Sequence, residues 1–203
     1  MTTARDQILG DVRLALRHAD RAPVRIDRGY RDQSEGVDPV ARFIERVADY
    51  RAVVERCPAA RVAACIAAAL PPRAPVVVPA GLPWQIETAV VDSGFSAAEL
   101  NRFEAAVTGA TLGVAETGTL VLTHGDQEGR RAISLVPDLY VCVILATQIV
   151  ATVPEAIAAL RGGAVTTWIS GPSATSDIEL KRVEGVHGPR RLHVIVVEEA
   201  PAN

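Results

Sequence analysis

Apolar positions recur at helical spacing through the first third of the chain and then give way to short β-branched runs. Ile8, Leu9, Val12 and Leu16 share one stripe, with Thr3 placed to cap and Asp6 three positions on, which predicts a short amphipathic helix over about 3–18. From Asp20 to Asp38, charges mix with Pro23, Gly29 and Gly36 at little periodicity, so this stretch reads as an extended linker or arm. The first helix is then free to pack away from the core or onto another subunit. Asp38-Pro39 is a good N-cap and N1 pair, and Val40, Phe43, Ile44, Val47, Arg51 and Val54 keep helical spacing after it, with Arg51 the break in the stripe. Pro58 opens a third helix, Ala59 to Leu70, which Pro71-Pro72 stops. Pro75-Val76-Val77-Val78-Pro79 is a short buried-strand signature before a turn at Ala80-Gly81, and Ser96-Ala97-Ala98-Glu99 is a capping-box pattern following Gly94.

From Ala105 the pattern is that of strands. Ala105 to Val107, Thr111 to Ala115 and Leu120 to Thr123 are parted by glycines, and Val141 to Leu145 is a continuous apolar run that predicts a strand covered on both faces. Thr152-Val153-Pro154-Glu155 opens a helix that Gly162-Gly163 closes, and Thr166 to Ser170 and Arg191 to Val197 complete the strands. Strands alternate with helices in several places, while the strand-rich 105–145 region has room for antiparallel pairs. The expected fold is α/β: an open, mixed, largely parallel sheet flanked by helices, with an N-terminal helical arm. The expected organisation is an arm over residues 1–38 and an α/β domain over 39–203.

Composition narrows this picture. Residues that are 49% apolar but only 4% aromatic suit a core packed from small aliphatic side chains, and a formal charge of −3 argues against a nucleic-acid module. Cys57, Cys65 and Cys142 are odd in number and share no C-x-x-C spacing, which argues against a disulfide framework, an intrinsic iron–sulfur cluster or a structural zinc site. Cys57 and Cys65 read as packing residues in Ala-rich helical sequence, Cys142 as core. Met1 to Asp6 carries no apolar signal core and no segment reaches a membrane span, so a reducing cytoplasm and no membrane are expected.

Three polar, glycine-bearing turns are set against apolar runs, and the expectation is that they converge on one ligand. In Ala115-Glu116-Thr117-Gly118-Thr119, Glu116 could serve as general base, nucleophile or acceptor for a ligand hydroxyl, or simply occupy a hairpin turn shaped by Thr117 and Gly118. Ile169-Ser170-Gly171-Pro172-Ser173 leaves a strand's carboxyl end, where open α/β sheets bind ligands. Gly171 permits close backbone approach, and the Ser170 and Ser173 hydroxyls with nearby N–H groups can receive a carboxylate or phosphate. Thr175, Asp177 and Glu179 continue the polar face, unless Asp177-Ile178-Glu179 caps a short helix. In Gly185-Val186-His187-Gly188-Pro189-Arg190, His187 is a candidate proton acceptor and Arg190 a candidate bidentate partner for an anion, a surface position being the alternative for each.

Other features weigh less. His124 and His193 lie at a strand end and within a strand, and His18 closes a helix. The four dispersed histidines make no metal motif. A Ser–His–Asp triad from Ser170 or Ser173 with His187 and Asp177 lacks a nucleophile elbow, and neither a P-loop nor a G-x-G-x-x-G is present. Arg130-Arg131 reads as a surface pair somewhat better than as part of an anion site.

Taken in order, the Glu116 turn with Leu120-Val121-Leu122, Ser134-Leu135-Val136-Pro137-Asp138, the Ser170–Ser173 loop with Thr175 and Asp177-Ile178-Glu179, and the Gly185–Arg190 loop resemble the LUD-domain family, in its lactate-utilisation protein C group. These motifs cover residues 105–197. The resemblance implies a fold similar to the ribose-5-phosphate isomerase, glucosamine-phosphate deaminase and CoA-transferase superfamily. It implies a small cytoplasmic subunit of an iron–sulfur complex that oxidises L-lactate to pyruvate, with no cofactor of its own and the clusters in its partner subunits. Glu116 and His187 are then the candidate catalytic residues. Thr117, Gly118, Thr119, Ser170, Gly171, Ser173, Thr175, Asp177 and Arg190 are the candidate contacts to a small carboxylate or other anion. Homo-oligomers are compatible with this reading. The chain departs from the family pattern at Tyr140, where relatives often carry histidine, and at Ser176, where alanine is common. Two further readings stay open: a stand-alone acyl/CoA-transferase-like or sugar-phosphate-isomerase-like enzyme using Glu116, and a non-catalytic assembly subunit.

Overall fold

The computed structural model describes residues 3–20, 22–26, 29, 38–160, 162, 165–175, 183–185 and 187–198. The chain forms two compact units, residues 1–30 and 31–203. The first contains α1 (Ala4–Ala15), started by the expected capping box: the Thr3 hydroxyl accepts from the Asp6 N–H and the Asp6 carboxylate accepts from the Thr3 N–H, each at 3.2 Å. No α1 residue is buried within the described residues, and Ile8 and Val12 of its apolar stripe are exposed. Most of the expected linker, and Ser176 and Asp177 with it, lies outside the described residues.

The second unit begins with α2 (Pro39–Asp49), whose N-cap Asp38 accepts from the Val40 N–H at 2.9 Å. The expected stripe breaks here. Arg51 adopts φ +64°, the chain turns, and Val54 belongs to strand β1 (Val53–Pro58) instead of the helix. Cys57 therefore sits on a strand, not in helical sequence. Then follow α3 (Val62–Ala69), β2 (Val76–Val78), β3 (Ala89–Val91), α4 (Ala97–Leu100), β4 (Ala105–Gly109), β5 (Leu112–Val114), β6 (Thr119–Leu122), α5 (Arg131–Leu135), β7 (Leu139–Leu145), β8 (Ile149–Val150), α6 (Val153–Ala159), β9 (Thr167–Ile169), β10 (Ala174–Thr175), β11 (Val183–Glu184) and β12 (Arg191–Glu198).

Six strands form one wholly parallel sheet in the order β1-β12-β7-β4-β2-β3. The antiparallel pairs expected between 105 and 145 do not join it. They belong to a second sheet, β8-β5-β6-β9, in which β6 runs antiparallel to both β5 and β9. Alternation along β7 and β12 sorts the core into two faces. Tyr140, Cys142, Ile144, Leu192, Val194 and Val196 pack with Phe43 of α2, Ile133 of α5 and Leu120 and Leu122 of the second sheet. Val141, Val143, Ile195 and Val197 pack with Val62 and Ile66 of α3 on the other. The outer face of the second sheet is closed by Ala156 of α6 against Leu112, Val114 and Val121. The layers are therefore α3, parallel sheet, α2 with the second sheet, and α6. No helix among the described residues is long and apolar enough to cross a membrane.

Gly118 sets how closely the β5–β6 hairpin approaches α2. It holds φ +61°, and a Cβ there would lie 2.7 Å from the carbonyl carbon of Arg46 and 2.8 Å from the amide nitrogen of Val47. Both obstacles are helix backbone, which has nowhere to move. Gly118→Ala is expected to lower unfolding free energy by at least about 2 kcal/mol, read as an earlier urea midpoint with an unchanged slope.

Candidate functional site

A cavity of about 320 Å³ opens where β9 runs out into the 170–173 turn, roofed by residues 187–189. Arg131, Ser134 and Leu135 of α5 form one wall, and Tyr140 and Leu192, each the second residue of its strand, lie at the base. Its position corrects the sequence argument. Ser170 does follow a strand, but β9 is an antiparallel member of the second sheet, so the turn falls beside the amino ends of β7 and β12 and not at the carboxyl edge of the parallel sheet.

Backbone bonds knit the two turns together. The Ser173 N–H donates to the Pro189 carbonyl at 2.8 Å, the Gly185 N–H to the Ser173 carbonyl at 3.2 Å, and the His187 N–H to the Ser173 hydroxyl at 3.1 Å. Gly171, at φ +82°, reverses the chain against Tyr50, where a Cβ would sit 2.5 Å from that of the tyrosine. The third turn reaches this assembly through hydroxyls. Ser170 and Thr119 are bonded at 2.8 Å, and Thr119 and Thr117 at 2.7 Å.

Ser170, Gly171, Ser173 and His187 thus line the cavity, and Thr117, Gly118 and Thr119 support it from behind. Glu116 is not a wall of it: the carboxylate is exposed on the hairpin turn, and its N–H donates to the Ala151 carbonyl at 3.0 Å. Arg190 does not reach the cavity either. It pairs with Asp138 at 3.2 Å, which also holds Arg191 at 3.4 Å, and it borders a separate cleft with Gly185. Thr175 lies on β10, paired with Val183, and Asp177 is outside the described residues. The Ser173 hydroxyl meets the backbone of His187, so among the described residues no serine–imidazole bond supports a triad.

The cation at the cavity is Arg131. Its neighbour Arg130 is engaged in a fork on Asp92 and on the Phe95 carbonyl, whereas the Arg131 guanidinium makes no hydrogen bond or ion pair among the described residues, and Arg131 lines the cavity. The signal was present as Arg131, Ser134 and Leu135 at i, i+3 and i+4, one face of a single helical turn. Tyr140 is almost wholly buried. Thr108 donates to the Gly109 carbonyl at 2.7 Å, so the Tyr140 hydroxyl, 2.6 Å away, donates to Thr108 and its proton points away from the cavity. Burial pushes its phenol well above the ordinary tyrosine range, so it presents a neutral ring and oxygen.

The carboxyl edge of the parallel sheet is occupied by the chain itself. Residues 124–130 lie across it, with the Asp126 carbonyl accepting from the Gly81 N–H at 3.0 Å and the Gln127 carbonyl from the Gly109 N–H at 2.8 Å. Glu128, a buried carboxylate that the sequence reading passed over, anchors this loop by accepting from the Thr123 N–H at 2.7 Å, the Gly125 N–H at 3.2 Å and the Thr111 hydroxyl at 2.5 Å. His124 is held at φ +62°, with Nδ1 3.1 Å from the Gly129 carbonyl and Nε2 2.9 Å from the Thr167 hydroxyl. A carbonyl only accepts, so Nδ1 carries the proton in the neutral ring. An open cleft of about 380 Å³ remains here, but its Asp92, Arg130 and His124 are all satisfied internally. His193 bridges β12 to Glu55 of β1 at 2.9 Å. Among the described residues, no group of three or more His, Cys, Asp or Glu is placed to hold a metal ion.

The open parallel α/β fold thus carries a small, hydroxyl-rich cavity beside one free guanidinium. In comparison with known proteins, the LUD domain model matches residues 85–197, and the chain belongs to the LUD-domain family. It is similar to the Lactate utilization protein C of Deinococcus radiodurans, 48% identical over 165 residues, covering 77% of this chain and 78% of that one. The Lactate utilization protein C of Bacillus licheniformis is 32% identical over 124 residues, and the match spans half of that protein's length. Among solved structures, a DUF162 family protein from Deinococcus radiodurans aligns with a TM-score of 0.68 at 41% identity, over 79% of this chain and 96% of that one.

The Asp92–Arg130 fork gives a pH-dependent expectation. The Arg130 guanidinium holds the Asp92 carboxyl below the ordinary carboxylate range. A depressed folded-state pKa means the stabilisation is complete above the unfolded value and is lost as pH falls through the folded one. Asp92→Asn is therefore expected to unfold more readily than the parent near neutrality, and the gap should close as pH drops below about 4, measured by chemical denaturation across pH.

Proposed function

We propose that the chain serves lactate utilisation as a subunit of an L-lactate-oxidising complex, with the 320 Å³ cavity holding the small 2-hydroxy or 2-oxo carboxylate. The family and the similar proteins named for lactate utilisation support the setting. The observation that carries the site is Arg131, a cation without a partner among the described residues, facing a cavity that also presents Ser170, Ser173 and His187. A guanidinium fork matches a carboxylate geometrically, and the serine hydroxyls can donate to the remaining lone pairs. The His187 ring is then the group that can accept the proton from a bound 2-hydroxyl.

Converting L-lactate to pyruvate removes two protons and two electrons. The electrons pass to iron–sulfur centres of partner subunits, because the donor set here does not suit a cluster: Cys57 and Cys65 lie together at β1 and α3, and Cys142 is inside β7. What this chain does is grip and orient the carboxylate. The exposed position of Glu116, away from the cavity, favours neither transferase-like nor isomerase-like chemistry through that residue.

Arg131→Ala is expected to weaken pyruvate and L-lactate binding to the purified chain at least about tenfold, a loss of roughly 1.4 kcal/mol, read by calorimetry or ligand-observed NMR. In a deletion strain on L-lactate, the same variant should fail to restore growth while Glu116→Gln restores it. Unchanged binding and growth in Arg131→Ala would reject the site, and full rescue by variants at both Arg131 and His187 would favour a purely structural subunit.

A further inference from the structure

We propose that Cys57 and Cys65 form a redox-sensitive dithiol, which an oxidant of the peroxide class closes to an intramolecular disulfide joining β1 to α3. The two sulfurs stand 2.7 Å apart, inside non-bonded contact and about 0.7 Å from the length of an S–S bond. Their surroundings differ in a way that suits two distinct roles. Cys57 is fully buried near the end of the edge strand β1, among Val62, Ile66 and Val197. Cys65, in the middle of α3, is half-buried and is the sulfur that an oxidant in solvent meets first.

The Cys57 thiol lies 3.4 Å from the Pro58 carbonyl, to which it can donate, and this directs its lone pairs toward Cys65. Burial, reinforced by the neighbouring thiol, raises Cys57 to about 12, which keeps it a thiol until a partner sulfur becomes electrophilic.

The chemistry balances without a further reactant. Cys65 sulfur attacks one peroxide oxygen, the O–O bond breaks, and the released hydroxide takes the thiol proton as water, leaving a sulfenic acid. Cys57 sulfur then attacks Cys65 sulfur. The S–S bond forms, the S–O bond breaks, and hydroxide leaves with the Cys57 proton as a second water. Two electrons pass from the sulfurs to the peroxide. Cys142, buried in β7 and bonded to the Gly109 carbonyl at 3.7 Å, has no sulfur neighbour among the described residues.

The test is exposure of the full, folded chain to hydrogen peroxide, followed by alkylation under denaturing conditions, intact mass and non-reducing peptide mapping. The expected result is a loss of two hydrogens, a fall from three alkylatable cysteines to one, and a linked peptide pair containing Cys57 and Cys65, reversed by dithiothreitol. Cys57→Ser should instead accumulate a dimedone-reactive sulfenic acid on Cys65. Three alkylatable thiols after treatment, Cys65 carried to sulfinic acid with no linked peptide, or a link through Cys142 would each overturn the proposal. The mapping of the parent protein decides the matter even if a serine variant fails to fold.

Discussion

The central constraint is β7. It is hydrogen-bonded along both edges, to β4 and β12, and six of its seven residues are buried. Such a strand has no polar face to turn outward, so both of its surfaces must be covered by separate layers. One surface takes α3. The other is too broad for α2 alone and takes the second sheet as well, which is why the chain folds its antiparallel hairpin away from the parallel sheet and back over it. Gly113 shows how close that return is, since a Cβ there would lie 2.9 Å from Ile144 and 3.0 Å from Phe43.

The cavity arises from this double cover. Where β9 leaves the second sheet, the layer stops short of the first residues of β7 and β12, and the gap is lined by what each layer offers at that level. The second sheet supplies serines, α5 supplies a guanidinium, and the parallel sheet supplies the inward ring of Tyr140. A site between layers draws side chains from distant parts of the sequence, here residues 131 and 187. It is a different solution from a pocket at a sheet's carboxyl edge, the place where open α/β sheets commonly bind ligands.

Much of the fold was legible wherever a local rule acts alone. The capping boxes at Thr3–Asp6 and Ser96–Glu99, the Asp38-Pro39 start and the apolar run of β7 all appear as read. The family and the open α/β class were legible as well, from ordered motifs rather than from any one residue. What failed was anything decided by distant neighbours. Val53 to Pro58 alternates too weakly to announce a strand, and it is one because β12 lies beside it. Of the residues that line the cavity, the serines and His187 stand in glycine-bearing turns, which are local signals. Arg131 read with Arg130 as a surface pair somewhat better than as part of an anion site, since adjacent arginines look alike in sequence and only Asp92, far off in the chain, separates Arg130 from its neighbour. Glu116 drew attention as a carboxylate in a glycine-bearing turn, while the carboxylate that is actually enclosed, Glu128, was not singled out.

The loop that lies across the carboxyl edge is fastened largely by carbonyl oxygens, those of Asp126 and Gln127 accepting from Gly81 and Gly109. Main-chain carbonyls are the same whatever side chain they carry. The fastening is therefore blind to the identity of residues 126 and 127, and evolution can rewrite the outward surface there, its charge and its shape, without loosening the loop. The fixed points are Gly81, where an added methyl group would lie 2.7 Å from the Asp126 carbonyl oxygen, and the glutamate behind the loop. One face of the molecule is in this sense a blank panel with permanent hinges, open to variation at a level where most of the fold admits none.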